Sequence, residues 1–144
     1  KKLSKSSYEI YCKTLKPIKK ISTKEFPGYP TDLQAQLIAT QLKSGLKSKV
    51  VENIFENRFI HIPELRRFGA NLSIKGNTVT IDKTSNLLGA EVMATDIRAS
   101  FSLIIAAMMS KGKTVINRIY HLDRGYEDFD LKLKKCGVNI SRKK

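Results

Sequence analysis

The spacing of apolar and polar residues predicts a mixed α/β chain in which strands and helices alternate. Residues 8–24 alternate loosely and predict a strand, which Pro17 interrupts. Apolar residues at helical spacing predict a helix that begins at Thr31 and Asp32 and ends at Gly45, with Thr31 as its N-cap and Asp32 as a negative charge in its first turn. Further strands are predicted at 50–54, 72–74, 78–81, 113–119 and 138–140, and further helices at 61–68, from 95 onward and at 126–135.

Two stretches of the chain repeat each other in their letters and in their predicted element order. Thr31-Asp32-Leu33 matches Thr95-Asp96-Ile97, and residues 65–71 match residues 133–139. A repeat of this length predicts tandem copies of one βαβαββ-type unit. The predicted parts are a basic strand region at 1–25 and two units at about 8–81 and 82–144.

The second long helix is apolar on all sides. Between Arg98 and Lys111 it has no charged residue, and a helix of this kind is buried all round. It is too short to cross a bilayer. We therefore expect an inside-out α/β fold with buried helices and with the sheets outside, in contrast to the usual layers in which helices cover a sheet.

Charge is concentrated at the start of the chain. The whole chain has 27 Lys and Arg against 13 Asp and Glu, for a formal net charge of +14, and residues 1–24 hold eight lysines and one acid. A nucleic-acid groove is typically richer in arginine and in interleaved aromatic residues. We therefore interpret this region as a solvated basic arm and expect no nucleic acid as partner, with polyanion binding as the alternative.

The cysteines and the first residues of the chain bear on its cellular compartment and on whether it is part of a longer protein. Cys12 and Cys136 are too far apart in sequence to suggest a metal pair or a disulfide framework, which favours a reducing, cytoplasmic location. Cys136 matches Phe68 in the repeat, so we expect it in the core. The first residues have no apolar segment of the kind found in signal peptides, so none is expected, and the absence of an initiator Met suggests that the chain begins within a longer protein. No metal, cofactor or membrane partner is expected.

Two aspartates and three arginines occupy related places in the two units. Asp32 and Asp96 stand at predicted helix starts, where unpaired N–H groups favour an anion, although capping alone explains an aspartate there. Arg58 and Arg124 follow corresponding strands, and Arg98 follows Asp96 by two residues. Arginine binds phosphate and carboxylate through paired hydrogen bonds. We therefore expect a site for an anionic ligand where the N-termini of the two helices and these loops meet.

Four longer blocks carry more specific information. They span 26–36, 55–65, 93–100 and 118–127 and include the runs Phe-Pro-Gly-Tyr-Pro-Thr-Asp, Phe-Glu-Asn-Arg, Ala-Thr-Asp-Ile-Arg-Ala-Ser and Asp-Arg-Gly-Tyr-Glu. In this order they closely resemble the UDP-N-acetylglucosamine 1-carboxyvinyltransferases, a family of enolpyruvyl transferases. The resemblance extends from about Phe26 to the C-terminus and corresponds to the C-terminal third of such an enzyme.

The resemblance implies a fold and a reaction. The fold is an inside-out α/β barrel of repeated βαβαββ units, with two similar domains that close over a cleft. The reaction transfers the enolpyruvyl group of phosphoenolpyruvate to the 3-hydroxyl of UDP-N-acetylglucosamine, through addition and then elimination of phosphate, at the start of peptidoglycan synthesis. A bacterial cytoplasmic location is implied as well.

The resemblance also implies roles for individual residues around the acceptor sugar. Asp32 resembles the carboxylate that contacts the attacking hydroxyl and is proposed as its base. Ile54 and Phe55 resemble residues at a strand end that contact the UDP-sugar. Asp96 resembles a carboxylate near the reacting centre, with helix capping as the alternative.

The three arginines resemble the groups that hold the phosphate and carboxylate of phosphoenolpyruvate. They are Arg58, Arg98 and Arg124, and Arg124 is placed with Asp32 among the catalytic residues. The family's proton donor and its N-terminal Lys-Asn pair lie in the other, N-terminal domain, which is therefore an implied partner. This chain alone is expected to be inactive.

Three other interpretations stay open at this point. One is a fragment of the related shikimate-pathway enolpyruvyl transferase, which the Asp-Arg-Gly-Tyr-Glu and Phe-Glu-Asn-Arg runs disfavour. The second is a non-catalytic module that binds polyanions through the basic arm. The third is a non-functional remnant, for which failure of the chain to fold alone would be evidence.

Overall fold

The computed structural model describes residues 1–9 and 11–143 of the chain. Its elements, in chain order, are β1 (Lys20–Ser22), α1 (Gln34–Gln41), β2 (Ser48–Val51), α2 (Ile62–Arg67), β3 (Leu72–Lys75), β4 (Thr78–Ile81), β5 (Glu91–Met93), α3 (Ile97–Met109), β6 (Val115–Asn117), α4 (Tyr120–Asp123) and α5 (Phe129–Lys135). A short 3-10 turn, Thr31–Leu33, leads into α1. The architecture is mixed α/β.

The first half of the chain forms a four-stranded sheet in the order β1-β2-β4-β3. β1 and β2 are parallel, with α1 as the crossover, and the remaining pairs are antiparallel. The tight turn of the β3–β4 hairpin is made at Gly76, whose φ of +56° suits glycine. β5 and β6 form a second, parallel pair, with α3 as their crossover.

One face of the four-stranded sheet is buried and the other is open to water. Val50, Val79 and Ile81 point into the core, where they meet buried residues of α1, α2 and α3. On the opposite face, Lys49 and Ser73 are exposed. This alternation follows from the two-residue period of a strand that has one covered face. Helices α1, α2 and α3 therefore lie on the buried face of this sheet, where α1 packs against α3.

The expected barrel is not closed in the part of the chain that the structure describes. The two sheets are separate, with four and two strands. The prediction that α3 is buried on all sides is wrong at its C-terminal end, where Met108 is 46% exposed. The rest of the helix carries buried residues on the side that faces α1 and the core.

Several predicted boundaries also need correction. In place of a strand over 8–24, the described residues of that range form only the strand β1, because a strand needs a partner and only Lys20–Ser22 pairs with β2. Ile10 lies outside the described residues. The predicted strand at 138–140 is wrong as well, since these residues find no partner strand in the described chain.

The predicted roles of Cys136 and Thr31 are wrong. Cys136 is exposed, whereas its counterpart Phe68 is fully buried. The carbonyl of Phe68 accepts a hydrogen bond from the Leu88 N–H. Phe68 lies in the core with Leu72 and Val79 of the β3–β4 hairpin, and no such hairpin follows Cys136 among the described residues. Thr31 does not cap the helix, because its hydroxyl instead donates to the carboxylate of Glu52.

Candidate active site

A carboxylate and two guanidinium groups meet in front of the paired helices α1 and α3. Oδ1 of Asp32 accepts a hydrogen bond from Nε of Arg98 at 2.5 Å and lies 3.4 Å from Nη1 of Arg58. Asp32 precedes α1, Arg58 lies in the loop after β2, and Arg98 is the second residue of α3. Three segments that are distant in sequence therefore supply this ion cluster.

The cluster lies at the surface, and its two arginines stabilise the ionised form of Asp32. The Asp32 side chain is 62% exposed, so a ligand from solvent can reach it. The hydrogen bond from Arg98, assisted by Arg58, lowers the pKa of Asp32 below its usual value. Asp32 is therefore ionised at neutral pH, and the two arginines have hydrogen-bonding capacity left for an anionic ligand.

The loop after β2 adds an aromatic surface to the cluster. The Arg58 guanidinium lies over the ring of Phe55, with 4.3 Å from Cζ to the ring centroid. Such a contact orients the arginine, since the ring face attracts the cation. Phe55 is 52% exposed, and Ile54 beside it is half-buried. Together they give the site an apolar wall next to its charges.

Asp96 is occupied as a helix cap. Its Oδ1 accepts hydrogen bonds from the backbone N–H groups of Arg98 and Ala99, both at 2.8 Å. This is the geometry in which an aspartate satisfies the free donors at a helix start. The side chain fixes the first turn of α3 and thereby the backbone position of Arg98.

Arg124 does not join the ion cluster. It follows α4, where its backbone N–H donates to the Leu122 carbonyl, and its exposed side chain makes no hydrogen bond or ion pair among the residues that the structure describes. Its neighbour Gly125 packs so closely on Ile97 that an added Cβ would lie 1.9 Å from Cδ1 of Ile97. Ile97 is the first residue of α3 and directly precedes Arg98. The backbone that carries Arg124 therefore lies beside the N-terminus of α3.

Two buried polar residues near this site were not recognised in the sequence. Glu52 is 2% exposed and accepts four hydrogen bonds, and His61 is 1% exposed with an unpaired Nε2. Burial and the charge of nearby Asp96 act in opposite directions on His61, and burial prevails, so its pKa is lowered to about 4. The sequence signal for Glu52 is a lone acid inside the strand predicted at 50–54.

The described residues show no group of three or more His, Cys, Asp or Glu side chains that could hold a metal ion. Within the same residues, no helix is both long enough and apolar enough to cross a membrane.

Comparison with known proteins identifies the family. The family model described as EPSP synthase (3-phosphoshikimate 1-carboxyvinyltransferase) matches residues 3–133. The chain belongs to this family. The EPSP synthase family match thus covers both sheets, the ion cluster and the loop of Arg124.

Curated relatives within the EPSP synthase family carry a more specific name. A UDP-N-acetylglucosamine 1-carboxyvinyltransferase from Rhodopseudomonas palustris (strain TIE-1) is 57% identical over 122 residues, which are 85% of this chain and 28% of that protein. One of the same name from Pelagibacter ubique (strain HTCC1062) is 52% identical over 143 residues, which are 98% of this chain and 34% of that protein. The chain thus spans about a third of the length of these relatives.

A solved structure supports the same assignment to the EPSP synthase family. The crystal structure of the enolpyruvyl transferase NikO from Streptomyces tendae superimposes with a TM-score of 0.80 at 28% sequence identity. The match covers 91% of this chain and 30% of the other. The arrangement of strands and helices described above is therefore that of a segment of an enolpyruvyl transferase.

Proposed function

We propose that this chain is the C-terminal part of an enolpyruvyl transferase that acts on phosphoenolpyruvate and UDP-N-acetylglucosamine. The observation that carries the proposal is the convergence of Asp32, Arg58 and Arg98 beside the exposed ring of Phe55. The cluster has the charges that a phosphorylated carboxylate requires and a carboxylate that can accept a proton. The relatives at 52% and 57% identity bear the name of this activity.

The first chemical step joins the two substrates. The 3-hydroxyl oxygen of the sugar forms a bond to C2 of phosphoenolpyruvate, C3 gains a proton, and the hydroxyl proton passes to the Asp32 carboxylate. Because its pKa is lowered, Asp32 is a weak base, so its contribution is to hold the hydroxyl in line as the proton leaves. The acid that protonates C3 lies outside this chain.

The second step releases phosphate from the tetrahedral intermediate. The bond from C2 to the phosphate oxygen breaks, C3 gives a proton to a base that lies outside this chain, and the double bond between C2 and C3 re-forms in the product. Arg58 and Arg98 hold the carboxylate and the departing phosphate, where fixed guanidinium groups stabilise developing charge. We assign Arg124 to the same task, because Gly125 places its backbone beside the start of α3.

The fold and the partners follow from the same proposal. The two βαβ crossovers, at α1 and α3, would be repeat units of an inside-out barrel that further chain completes. The remaining two thirds of the enzyme would be the partner that supplies the proton donor and closes the cleft. Both substrates are metabolites of the bacterial cytoplasm, where peptidoglycan precursors are made, so we place the enzyme there.

The test uses a chimera in which this chain replaces the matching segment of the Rhodopseudomonas palustris relative. We expect the chimera to release phosphate from phosphoenolpyruvate only when UDP-N-acetylglucosamine is present. Asp32→Asn in the chimera should reduce turnover by about a hundredfold or more, because the group that orients the hydroxyl is lost. A folded chimera with no phosphate release, or an Asp32→Asn variant with full turnover, would contradict the proposal.

A second acceptor deserves the same assay, because the family description names 3-phosphoshikimate. Shikimate 3-phosphate offered to the chimera should give no phosphate release above background. Release with this acceptor and none with the UDP-sugar would assign the chain to the shikimate-pathway activity instead.

A further inference from the structure

We propose that Glu52 is a positioning residue that sets the Asp32 segment against the Ile54–Phe55 loop. The inference rests on the proposed function and adds a residue to it. Glu52 follows β2 directly and is almost fully buried. Its carboxylate makes no hydrogen bond or ion pair with Asp32, Arg58 or Arg98 in the described structure, so it acts through the residues that it holds.

The two oxygens of Glu52 bind different parts of the site. Oε2 accepts a hydrogen bond of 2.9 Å from the hydroxyl of Thr31, the residue immediately before Asp32. Oε1 accepts hydrogen bonds from the backbone N–H groups of Ile54 at 2.9 Å and Phe55 at 3.2 Å. One carboxylate therefore links the segment that carries the proposed base to the loop that forms the apolar wall.

A third segment, at the end of β1, also binds the Glu52 carboxylate. The hydroxyl of Thr23, at the end of β1, donates to Oε1 of Glu52 at 2.9 Å and accepts from the N–H of Asn53 at 2.8 Å. Thr23 is fully buried. No salt bridge to Glu52 is present among the described residues, so neutral donors alone hold this carboxylate.

This arrangement is better suited to fixing geometry than to a simple packing role. An aliphatic residue would fill the same buried space without requiring four donors in defined directions. The four donors come from three segments, two of which carry proposed site residues. Loss of the link should let the Asp32 segment and the Ile54–Phe55 loop move independently. Such movement should lower the catalytic rate, because even small displacements of active-site groups slow a reaction.

Thr31→Val is the sharpest test, because it keeps the side-chain shape and removes only the hydroxyl that reaches Glu52. Thr40→Val is the matched control: the Thr40 hydroxyl donates to the Leu37 carbonyl within α1 and has no link to the site. In the chimera, Thr31→Val should lower kcat about tenfold while the KM for phosphoenolpyruvate changes little. Thr40→Val should leave kcat unchanged.

Glu52→Gln and Glu52→Leu complete the series. Glutamine keeps one oxygen for the three donors at Oε1, and its amide can donate to the Thr31 hydroxyl, so kcat should fall less than in Thr31→Val. Leucine removes every link and should lower kcat most per folded molecule. Equal kcat in Thr31→Val and Thr40→Val, or in Glu52→Gln and Glu52→Leu, would overturn the proposal.

Amide hydrogen exchange on the 144-residue chain tests the link without catalysis. Thr31→Val should speed exchange at the Ile54 and Phe55 amides at least severalfold, although the substitution lies on another segment, and Thr40→Val should not. A folded but inactive chimera of unsubstituted sequence would contradict the proposed function, and the exchange result then decides the role of Glu52 by itself. Unchanged exchange at both amides would overturn that role.

Discussion

The buried imidazole of His61 makes the stability of the chain depend on pH in a defined way. His61 lies next to α2, is 1% exposed, and has an Nε2 atom without a hydrogen-bond partner. Burial lowers its pKa from 6.5 to about 4, although the nearby charge of Asp96 works in the opposite direction. The folded chain therefore holds this imidazole neutral through most of the acidic range.

The sign and size of the effect follow from proton linkage. The unfolded chain takes up a proton on His61 below about pH 6.5, and the folded chain does so only below about pH 4. Stability from this residue is thus complete above pH 6.5 and is lost as the pH falls from 6.5 to 4. At about 1.4 kcal/mol for each tenfold change, the full loss is about 3 kcal/mol, of which about 2 kcal/mol is lost by pH 5.

Urea unfolding followed by circular dichroism, at pH 7.5 and pH 5, measures this loss. The unsubstituted chain should lose about 2 kcal/mol more free energy of unfolding between these pH values than His61→Leu does. His121→Leu is the matched control, because it removes the other histidine of the chain. This variant should still show the loss of about 2 kcal/mol in the free energy of unfolding that comes from His61.

A direct titration guards against a variant that does not fold. The imidazole proton resonances of His61 in the unsubstituted chain should titrate near pH 4 in NMR spectra, or not at all before acid unfolding. Resonances that titrate near pH 6.5, or an equal loss of stability in His61→Leu, would refute the reasoning that burial controls this group.

Two further substitutions test single roles. Arg124→Ala in the chimera should lower turnover at least about a hundredfold if the arginine stabilises charge on the donor, and near-normal turnover would refute that role. Asp96→Ala should lower the free energy of unfolding by about 1 kcal/mol through loss of the helix cap, whereas Asp96→Asn keeps most of it. Turnover that collapses in a stable Asp96→Asn variant would show a chemical role beyond capping.

The long-range layout of the site could be predicted because it depends on repeated local patterns. The matching Thr-Asp pairs at 31–32 and 95–96 mark the starts of two helices of the same kind, and helices that pack side by side bring their starts together. The convergence of Asp32 and Arg98 follows from that pairing. For Asp96 the sequence left helix capping open as the alternative, and its carboxylate does cap its own helix.

Other features depend on partners that local patterns do not reveal. The lysine-rich alternation over 8–24 looks like a strand, yet among the residues of this range that the structure describes only the three that pair with β2 form one. Glu52 is held by hydroxyls that lie 21 and 29 residues before it in sequence, at Thr31 and Thr23. These two hydroxyl partners are neutral and distant in sequence, so no periodicity or spacing identifies the buried acid that they hold.

The ion cluster has a consequence for how the polypeptide can be divided. Asp32 and Arg58 come from the part of the chain before β5, and Arg98 comes from the part after it. Cleavage in the connection between β4 and β5 would leave the carboxylate on one piece and its nearer cation on the other. Neither piece alone would carry all three charged groups of the proposed site, so an exchange of segments that is meant to preserve this cluster has to move both parts together.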